Sequence, residues 1–297
     1  MKRVLILGGT GLLGSYLVNY FKGFSEIYYS YNSQTVVDSN VINSFFLNAL
    51  DHKSVESYIR EIAPDVLINA IALANVDDVQ VERKLGYELN VRLPIFLNQM
   101  SIKYDYKLIH ISTDHFSGDS PGFIRESDSV HSLNYYGEQK LQAEESLLSL
   151  PSTAIIVRTN FFRNDFYFKR GLMEWIIYKL NNNQPFNGFT NVHFTPVSCE
   201  ILSRGILKLL EIEYSGLIHI SSSEDITKYD FARFIANSLK ANSDLINPCD
   251  FEERPDFVTR PRNMCLDNSK FIDITGFKIP SIADMIEKEI RSRDDIK

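Results

Sequence analysis

Two side chains near the middle of the chain have the types and the spacing needed for acid–base chemistry. Tyr136 and Lys140 are four residues apart in the run Tyr136-Gly-Glu-Gln-Lys140. In a helix this spacing places both side chains on one face. A lysine ammonium stabilises a neighbouring phenolate, so we expect Lys140 to lower the pKa of Tyr136 from its usual value of about 10. A tyrosine tuned in this way acts as a general acid or base near neutral pH.

Hydroxyl groups lie just upstream, where a predicted strand ends. The apolar segment 106–112 reads as a strand and is followed by Thr113 and Asp114. Ligands of doubly wound sheets bind at the carboxyl ends of the strands, so Ser112 and Thr113 are candidates to hydrogen-bond a carbonyl that Tyr136 protonates. An exposed helix and a strand-end turn would explain these residues singly, but their order along the chain favours a catalytic site.

The amino terminus has the order strand, glycine turn, helix. The apolar run 4–7 precedes Gly8-Gly-Thr-Gly-Leu-Leu-Gly14, and a helical pattern follows to residue 22. Glycines let the backbone approach a pyrophosphate, whose charge then lies at the helix N-terminus. The pattern predicts a dinucleotide site formed by Gly8, Thr10, Gly11, Leu12, Leu13 and Gly14.

Predicted strands and helices alternate through the first half of the chain. Strands are predicted at 4–7, 26–31, 45–47, 65–72, 106–112 and 154–158, and helices at 15–22, 53–62, about 79–103 and 134–148. This alternation predicts an α/β fold with a doubly wound parallel sheet, a Rossmann domain over 1–160. Residues 161–297 are predicted to form a smaller mixed α/β substrate-binding part, with some segments returning to the Rossmann domain. Helices are predicted there at 198–210, 228–239 and 282–290.

Composition narrows the class of protein. The 297 residues are 44% hydrophobic and 23% charged, as in ordinary globular proteins. The net charge of −7, without a basic stripe, argues against nucleic-acid binding. No stretch is apolar for long enough to span a bilayer, and the three scattered cysteines have no metal-ligand spacing. We expect a cytoplasmic protein without a metal site.

Several further runs join these motifs in a recognisable order. They are Asp65-Val-Leu-Ile-Asn-Ala-Ile-Ala72, Val76-Asp77 with Glu82 and Asn90, Ile111-Ser-Thr-Asp114 with Phe116 and Gly118, Asn134-Tyr-Tyr-Gly-Glu-Gln-Lys-Leu141 with Glu144, Phe194-Thr-Pro196, and Arg260-Pro261 with Asn263 and Leu266. Over nearly its whole length the chain resembles the extended short-chain dehydrogenase/reductase superfamily. Within it the chain looks most like the dTDP-4-dehydrorhamnose reductase family of nucleotide-sugar reductases.

The resemblance implies a reaction and a set of residues for it. A nicotinamide would pass a hydride to C4 of a 4-keto-6-deoxyhexose carried by a nucleoside diphosphate. Tyr136 would donate the proton, Thr113 would hold the carbonyl oxygen, and Lys140 would bind the nicotinamide ribose. Further cofactor contacts are implied at Asn48, Ala49, Asn69, Ala70, Ile71, Ala72 and Asn90, and substrate contacts at Asp114, His115, Asn160, Phe161, Phe162 and Arg260. Family members are often dimers, which makes a homodimer the expected assembly.

Three positions depart from the family pattern. His115 stands where these reductases usually carry tyrosine, and Asn160-Phe161-Phe162 replaces the usual serine and tryptophan. Asn48 stands where an aspartate commonly lies beside the adenine. The first two departures fall in the implied sugar pocket, so they affect the identity of the sugar more than the reductase chemistry.

The segment after the second strand bears on the choice of cofactor. NAD specificity usually requires an acid there to bind the ribose 2′-hydroxyl. Residues 29–34 contain no acid, and Asn32 and Ser33 could hydrogen-bond a 2′-phosphate, although no arginine is present to pair with it. We therefore favour NADP(H) over NAD(H).

Two alternatives stay open from the sequence. Relatives of this fold also serve as regulatory subunits that bind NADP and a partner enzyme, although intact Thr113, Tyr136 and Lys140 argue against a loss of catalysis. The second alternative is a nucleotide-sugar epimerase or dehydratase. A dehydratase would use an acidic pair in the catalytic loop, where this sequence offers Asp114 alone.

Overall fold

A parallel sheet organises the molecule. The computed structural model describes residues 2–32, 43–118, 122–151, 153–164, 171–253 and 258–294. The strands in these ranges are β1 Arg3–Leu7, β2 Glu26–Tyr31, β3 Ser44–Phe46, β4 Val66–Asn69, β5 Lys107–Ile111, β6 Ser117–Gly118, β7 Val130–His131, β8 Ile155–Arg158, β9 Phe161–Phe162, β10 Phe186–Phe189, β11 His193–Phe194, β12 Val197–Ser198, β13 Gly216–His219, β14 Ile226–Thr227, β15 Ile246–Cys249 and β16 Asn263–Met264.

Helices pack on both faces of that sheet. They are α1 Leu12–Phe21, α2 His52–Ile62, α3 Val76–Val81, α4 Arg83–Tyr87, α5 Leu93–Tyr104, α6 Tyr135–Ser149, α7 Gly171–Asn181, α8 Cys199–Glu211, α9 Lys228–Ser238, α10 Ser269–Thr275 and α11 Ile282–Asp294. A π-helical turn, Glu88–Arg92, joins α4 to α5, and 3₁₀ turns lie at Ser243–Leu245 and Phe251–Glu253. The single helix predicted over 79–103 is therefore a broken series that begins at Val76.

Within the described residues the large sheet has seven parallel strands in the order β3-β2-β1-β4-β5-β8-β13. The order reverses direction between β1 and β4, which is the topological switch point where such sheets bind ligands. The predicted doubly wound fold is confirmed. One strand was not predicted: β13 pairs in parallel with β8, so the sheet continues well beyond residue 160.

Two hydrophobic cores cover the two faces of the sheet. Along β1, Val4 and Ile6 belong to one core, whereas Leu5 and Leu7 belong to the other. Successive side chains of a strand point to opposite faces, so a strand buried on both sides reads as a continuous apolar run. One core includes residues of α1, α8, α9 and α11, and the other includes residues of α2, α5 and α6.

The carboxyl-terminal half builds a smaller set of sheets. β10 pairs with β15, and β11 lies between β14 and β16. β9 pairs with β12, which leads directly into α8. Residues of β9, β10 and β16 line the cavity described below, together with residues that follow β5 and β8.

Candidate active site

The start of α6 carries the predicted acid–base pair. The Asn134 side chain caps the helix by accepting a hydrogen bond from the Gly137 backbone N–H at 3.0 Å. A Cβ at Gly137 would lie 2.7 Å from the backbone oxygen of His115, so glycine permits this close approach to the catalytic loop. Tyr136 and Lys140 both point inward, with exposed fractions of 8% and 1%.

The pKa of Tyr136 differs from the expectation. Burial raises it to about 12, a hydrogen bond with the Thr113 side chain opposes the shift, and the nearby Asp114 carboxylate adds to it. Lys140 is directed elsewhere: its Nζ donates to the backbone oxygen of Ile111 at 2.8 Å and lies 3.0 Å from His110 Nε2. The predicted lowering of the Tyr136 pKa by Lys140 is therefore wrong for this arrangement. The predicted proximity of Thr113 to the phenol is found.

Asp114 is a buried acid beside this pair. Burial raises its pKa to about 6, while Lys228 and a hydrogen bond from Asn160 oppose the shift. Asn160 Nδ2 donates to Asp114 Oδ2 at 2.8 Å, which links the loop after β5 to the end of β8. Asp114 and Asn160, both predicted to contact substrate, line one cavity.

Lys228 was missed by the sequence reasoning. It begins α9, its Nζ lies 3.2 Å from the centre of the Phe194 ring, and burial lowers its pKa to about 8 against the opposing charge of Asp114. A lysine at the start of an amphipathic helix normally indicates a solvated position. Nothing local in the sequence distinguishes Lys228 from such a residue.

A buried ion pair fixes the catalytic helix to the sheet. Arg158 Nη2 donates to Glu144 Oε2 at 2.7 Å, and its Nε donates to the same oxygen at 2.9 Å. Both side chains are less than 5% exposed. The Ser112 hydroxyl also donates to Glu144. These bonds tie α6 to the carboxyl ends of β5 and β8, and so hold Tyr136 and Thr113 in register.

A cavity of about 860 Å³ opens in front of Tyr136. Polar side chains of its lining include Thr113, Asp114, His115, Asn160 and Lys228. Large side chains also line it, namely Phe161, Trp175, Lys179, Phe186, Phe189, Phe251 and Arg260. The volume and the mixture of aromatic and charged walls suit a ligand larger than a single sugar.

His115 and Arg260 occupy the predicted sugar side. His115 Nε2 is buried and has no hydrogen-bond partner among the described residues. Burial lowers the pKa of His115 to about 3, with Arg260 and Lys228 acting in the same direction, so the imidazole is neutral. Arg260 Nη2 donates to Asp77 Oδ2 at 2.7 Å, which anchors the 258–262 segment to α3.

Phe162 does not lie at the cavity, which corrects its predicted substrate contact. It is 3% exposed and packs edge-on against Phe231, with ring centres 5.2 Å apart. Its neighbour Phe161 lines the cavity. Alternate residues of a strand face opposite sides, so the Phe161-Phe162 pair divides between the cavity and the core.

The glycine loop makes close backbone contacts that only glycine allows. Gly8 has φ +81°, and a Cβ at Gly14 would lie 2.0 Å from the Gly8 backbone oxygen. Gly8 N–H donates to the Ser30 hydroxyl at 3.0 Å, which fixes the loop to β2. Gly11 caps α1 without a side-chain hydrogen bond, and the first turn of α1 carries no acid, so its amides suit an anion.

The other predicted cofactor residues divide into two groups. Thr10 and Leu12 lie in the glycine loop and at the start of α1, whereas the Leu13 side chain is in the core. Ala49 is likewise a core residue, and Asn48 accepts a hydrogen bond from Leu50 N–H within its own turn. Leu13 and Ala49 therefore pack in the hydrophobic cores, and the Asn48 side chain is hydrogen-bonded within its own turn. Asn32 follows β2, and Ser33 lies outside the described residues.

The end of β4 meets the glycine loop. A Cβ at Gly8 would lie 3.0 Å from the Ile71 side chain and 3.3 Å from the backbone of Ala70. Asn69 Oδ1 accepts from the Ile71 N–H at 3.2 Å, which shapes the turn that continues to Ala72. Asn90, in the π-helical turn, accepts from Leu73 N–H and donates to its carbonyl oxygen. Asn90 thus fixes the backbone that follows β4.

The described residues contain neither a membrane-spanning helix nor a metal-binding cluster. Among the helices in them, none is both long and apolar enough to cross a bilayer. In the same residues, no group of three or more His, Cys, Asp or Glu side chains is arranged to hold a metal ion.

The sheet order, the glycine loop and the Thr113–Tyr136–Lys140 constellation together define an extended short-chain dehydrogenase/reductase. The chain belongs to the family described as RmlD substrate binding domain, whose model matches residues 1–293.

Individual relatives agree in length as well as in sequence. The dTDP-4-dehydrorhamnose reductase of Aggregatibacter actinomycetemcomitans is 26% identical over 310 residues, which cover 98% of this chain and 99% of the relative. Methionine adenosyltransferase 2 subunit beta of Xenopus laevis is 29% identical over 284 residues, covering 91% and 81%. The crystal structure of dTDP-4-dehydrorhamnose reductase from Bacillus anthracis strain Ames in complex with NADP has the same fold, with a TM-score of 0.85 at 23% identity, covering 98% and 99%.

Proposed function

We propose that the chain is an NADP(H)-dependent reductase of the C4 keto group of a nucleoside-diphosphate 4-keto-6-deoxyhexose. The product would serve deoxysugar and surface-polysaccharide biosynthesis. The observation that carries the proposal is the buried Thr113–Tyr136 contact in the wall of the cavity, in a chain whose glycine loop suits a dinucleotide. Relatives with the same motifs over the same length include a dTDP-4-dehydrorhamnose reductase.

The residues would divide the chemistry between them. NADP(H), when bound, supplies the hydride. Tyr136 would donate a proton to the carbonyl oxygen, and its pKa of about 12 keeps the phenol protonated at neutral pH. Thr113 would hold that oxygen through the hydroxyl that contacts Tyr136. Gly8 to Gly14 and the first turn of α1 would bind the pyrophosphate, with Asn69 to Ala72 against the ribose.

The cavity supports a sugar nucleotide as the substrate. The neutral His115 imidazole and the Asn160 amide would hydrogen-bond sugar hydroxyl groups. Lys179 and Arg260 place positive charge along the wall where a diphosphate would pass. Trp175 and Phe186 pack edge-to-face with ring centres 5.0 Å apart, and they offer an apolar surface to a base.

The cofactor preference rests on the end of β2. Asn32 follows Tyr31 directly, and no acidic side chain stands in 29–34 to bind a ribose 2′-hydroxyl. We expect NADPH to raise the melting temperature of the purified protein more than NADH does at equal concentration. Equal or reversed stabilisation would contradict the preference.

A spectrophotometric assay tests the reaction itself. Purified protein is expected to oxidise NADPH when dTDP-4-keto-6-deoxy-L-mannose is added, and Tyr136→Phe is expected to reduce turnover by about 10²–10⁴-fold. A panel of other 4-keto nucleotide sugars would define the base and the sugar. If no member of the panel is turned over, the proposal fails.

The regulatory-subunit alternative has a counterpart among the relatives, methionine adenosyltransferase 2 subunit beta of Xenopus laevis, at 29% identity. The same assay separates the two functions, because a regulatory subunit would bind NADPH without oxidising it. A dehydratase or epimerase would convert its substrate without net consumption of NADPH. We also propose a cytoplasmic homodimer; the three cysteines are buried, and no disulfide joins them among the described residues, as is usual in a reducing compartment.

A further inference from the structure

One arginine from the carboxyl-terminal half contacts the helix that begins at the glycine loop. Arg163 follows β9, and its Nη1 donates to the Leu12 backbone oxygen at 3.2 Å and to the Ser15 hydroxyl at 2.8 Å. The central carbon of its guanidinium lies 5.5 Å from the centre of the Tyr16 ring. These contacts all lie at the start of α1, so Arg163 fixes the end of the helix that follows the glycine loop.

Two hydrogen bonds to α11 hold the backbone next to Arg163. The Asn164 N–H donates to Glu289 Oε2 at 2.9 Å, and Asn164 Nδ2 donates to the Glu289 backbone oxygen at 3.1 Å. Asn164 and Glu289 are buried, with exposed fractions of 8% and 9%. Arg163 is therefore carried by a segment that α11 and β9 both hold in place, and its contact with α1 is well defined.

The position of the guanidinium is electrostatically unusual. The N-terminus of a helix is the positive end of its dipole, so a cation beside it is unfavourable unless an anion is also present. The first turn of α1 contains no acid that could supply that anion. Arg163 and the start of α1 thus place two sources of positive potential side by side.

The acids near Arg163 offset its charge only in part. Burial raises the pKa of Glu289 to about 7, against the hydrogen bond from the Asn164 N–H and the charge of Arg163. Glu289 is therefore incompletely ionised at neutral pH. Glu200, on α8, is already engaged by Lys288, whose Nζ lies 2.6 Å from Glu200 Oε1. An excess of positive charge remains at the start of α1.

A dinucleotide would bring the anion that this excess requires. The backbone amides at the start of α1 suit a pyrophosphate, which carries two negative charges. Arg163 also has donors to spare: its Nη1 and Nε make the hydrogen bonds, and its Nη2 makes none to the described residues. The side chain is partly exposed, so a bound anion can reach its charge.

We propose that Arg163 is a positioning residue for the cofactor, which holds the first turn of α1 in place and adds positive charge to the pyrophosphate site of NADP(H). This inference rests on the cofactor of the proposed function. Phe161, two residues earlier, lines the substrate cavity, and Asn160 donates to Asp114 in the catalytic loop. Residues 160–164 would therefore connect the substrate side of the active site to the cofactor side.

Fluorescence titration with NADPH tests the role of Arg163 without substrate. Arg163→Met removes the charge and keeps a long side chain, and we expect it to raise the dissociation constant by about tenfold. Arg60→Met, at an exposed position on α2, changes the net charge by the same amount and is the matched control. The control is expected to bind NADPH as the wild type does. Wild-type affinity in Arg163→Met would overturn the inference.

Ionic strength separates the contribution of charge from a loss of structure. Salt screens charges, so NADPH binding by the wild type is expected to weaken between about 0.05 M and about 0.3 M salt, and binding by Arg163→Met to weaken less. Arg163→Lys keeps the charge and is expected to restore most of the affinity and the wild-type salt dependence. Weakened binding in Arg163→Met with the salt dependence of the wild type would indicate a merely structural role and contradict the proposal.

A second variant covers the case in which Arg163→Met does not fold. Arg163→Gln keeps N–H donors for the Leu12 oxygen and the Ser15 hydroxyl but has no charge. It is expected to show the same reduced salt dependence, and a salt dependence equal to that of the wild type would overturn the inference.

The outcomes separate this inference from the proposed function. If the Arg163 variants weaken NADPH binding as expected but no sugar is reduced, the proposed reaction fails and this inference holds. If a sugar is reduced and the variants bind NADPH as the wild type does, this inference alone fails. In the turnover assay, Arg163→Met is expected to raise KM for NADPH about tenfold and to leave kcat within about twofold, because it acts on cofactor binding rather than on the chemical step. A loss of kcat with an unchanged KM for NADPH would contradict the proposal.

Discussion

Asp114 combines burial with a charge at working pH. It is 2% exposed, and its pKa of about 6 lies above the value of about 3.9 expected in the unfolded chain. The folded state therefore binds the proton more tightly than the unfolded state does. The free energy of unfolding should consequently decrease as pH rises from about 4 to about 6. At neutral pH the ionised Asp114 therefore lowers the free energy of unfolding.

Asp114→Asn should remove this destabilisation, and its amide oxygen can still accept the hydrogen bond from Asn160. We expect the free energy of unfolding at pH 7 to rise by up to about 3 kcal/mol, with little change at about pH 4, where wild-type Asp114 is largely protonated. Denaturant titrations at the two pH values measure the difference. Asp273→Asn on α10, an exposed position, serves as the control. An equal gain at both pH values would contradict the pKa shift.

Glu144 and Arg158 stabilise the site only as a pair. In Glu144→Gln the guanidinium of Arg158 stays buried without its counter-charge, so we expect the free energy of unfolding to fall by about 3–5 kcal/mol. The neighbouring Glu145 is exposed, and Glu145→Gln should have little effect. Denaturant midpoints of the two variants provide the comparison. A loss below about 1 kcal/mol in Glu144→Gln would show that water reaches the pair.

Residue-level expectations from sequence were uneven. The Tyr136–Lys140 spacing correctly placed both side chains on one buried face, because helix geometry fixes that relation. The direction of the Tyr136 pKa shift was wrong, because it depends on where Lys140 Nζ points. Lys140 Nζ contacts His110 and the Ile111 backbone oxygen, about thirty residues earlier in the chain. Side-chain contacts across such distances leave no local pattern.

At the scale of elements, the turn from β1 to α1 depends on Gly14. A Cβ there would lie 2.0 Å from the Gly8 oxygen and 3.0 Å from Gly9 Cα, both backbone atoms. Gly14→Ala should therefore displace the loop and weaken NADPH binding by about tenfold or more, an estimate that corresponds to about 1.4 kcal/mol. Fluorescence titration with NADPH measures the dissociation constant.

Gly23, just after α1, is the matched control for this change. A Cβ at Gly23 would meet no atom within 4 Å. We expect Gly23→Ala to bind NADPH as the wild type does. Unaltered binding in Gly14→Ala would contradict a pyrophosphate site on this loop.

The strands of the large sheet were mostly visible in the sequence, and β13 was not. Strands buried on both faces appear as apolar runs between turn residues, as for Val66–Asn69 and Lys107–Ile111. β13 is four residues, Gly-Leu-Ile-His, and its place follows from pairing with β8, where Gly216 is aligned with Ile155. Such a pairing joins residues far apart in the chain, so local composition did not reveal it.

Over the whole molecule, the cofactor side of the site was more predictable than the substrate side. The glycine loop is one contiguous segment whose geometry depends on its own residues. The cavity wall is assembled from separate segments, including the start of α7, β10, the start of α9 and the 3₁₀ turn at Phe251–Glu253. Phe162 and Lys228 show the consequence. Phe162 was predicted to contact substrate, but its side chain is buried in the core. Lys228 lines the cavity, although a lysine at the start of a helix normally faces solvent.

The central claim is that this chain transfers a hydride to C4 of a 4-keto nucleotide sugar while Tyr136 supplies the proton. NADPH deuterated at nicotinamide C4, incubated with dTDP-4-keto-6-deoxy-L-mannose and the protein, tests it most directly. We expect mass spectrometry and NMR to place one deuterium at C4 of the product sugar, with Tyr136→Phe forming little labelled product. An unlabelled sugar, recovered with folded protein that binds NADPH, would contradict the account.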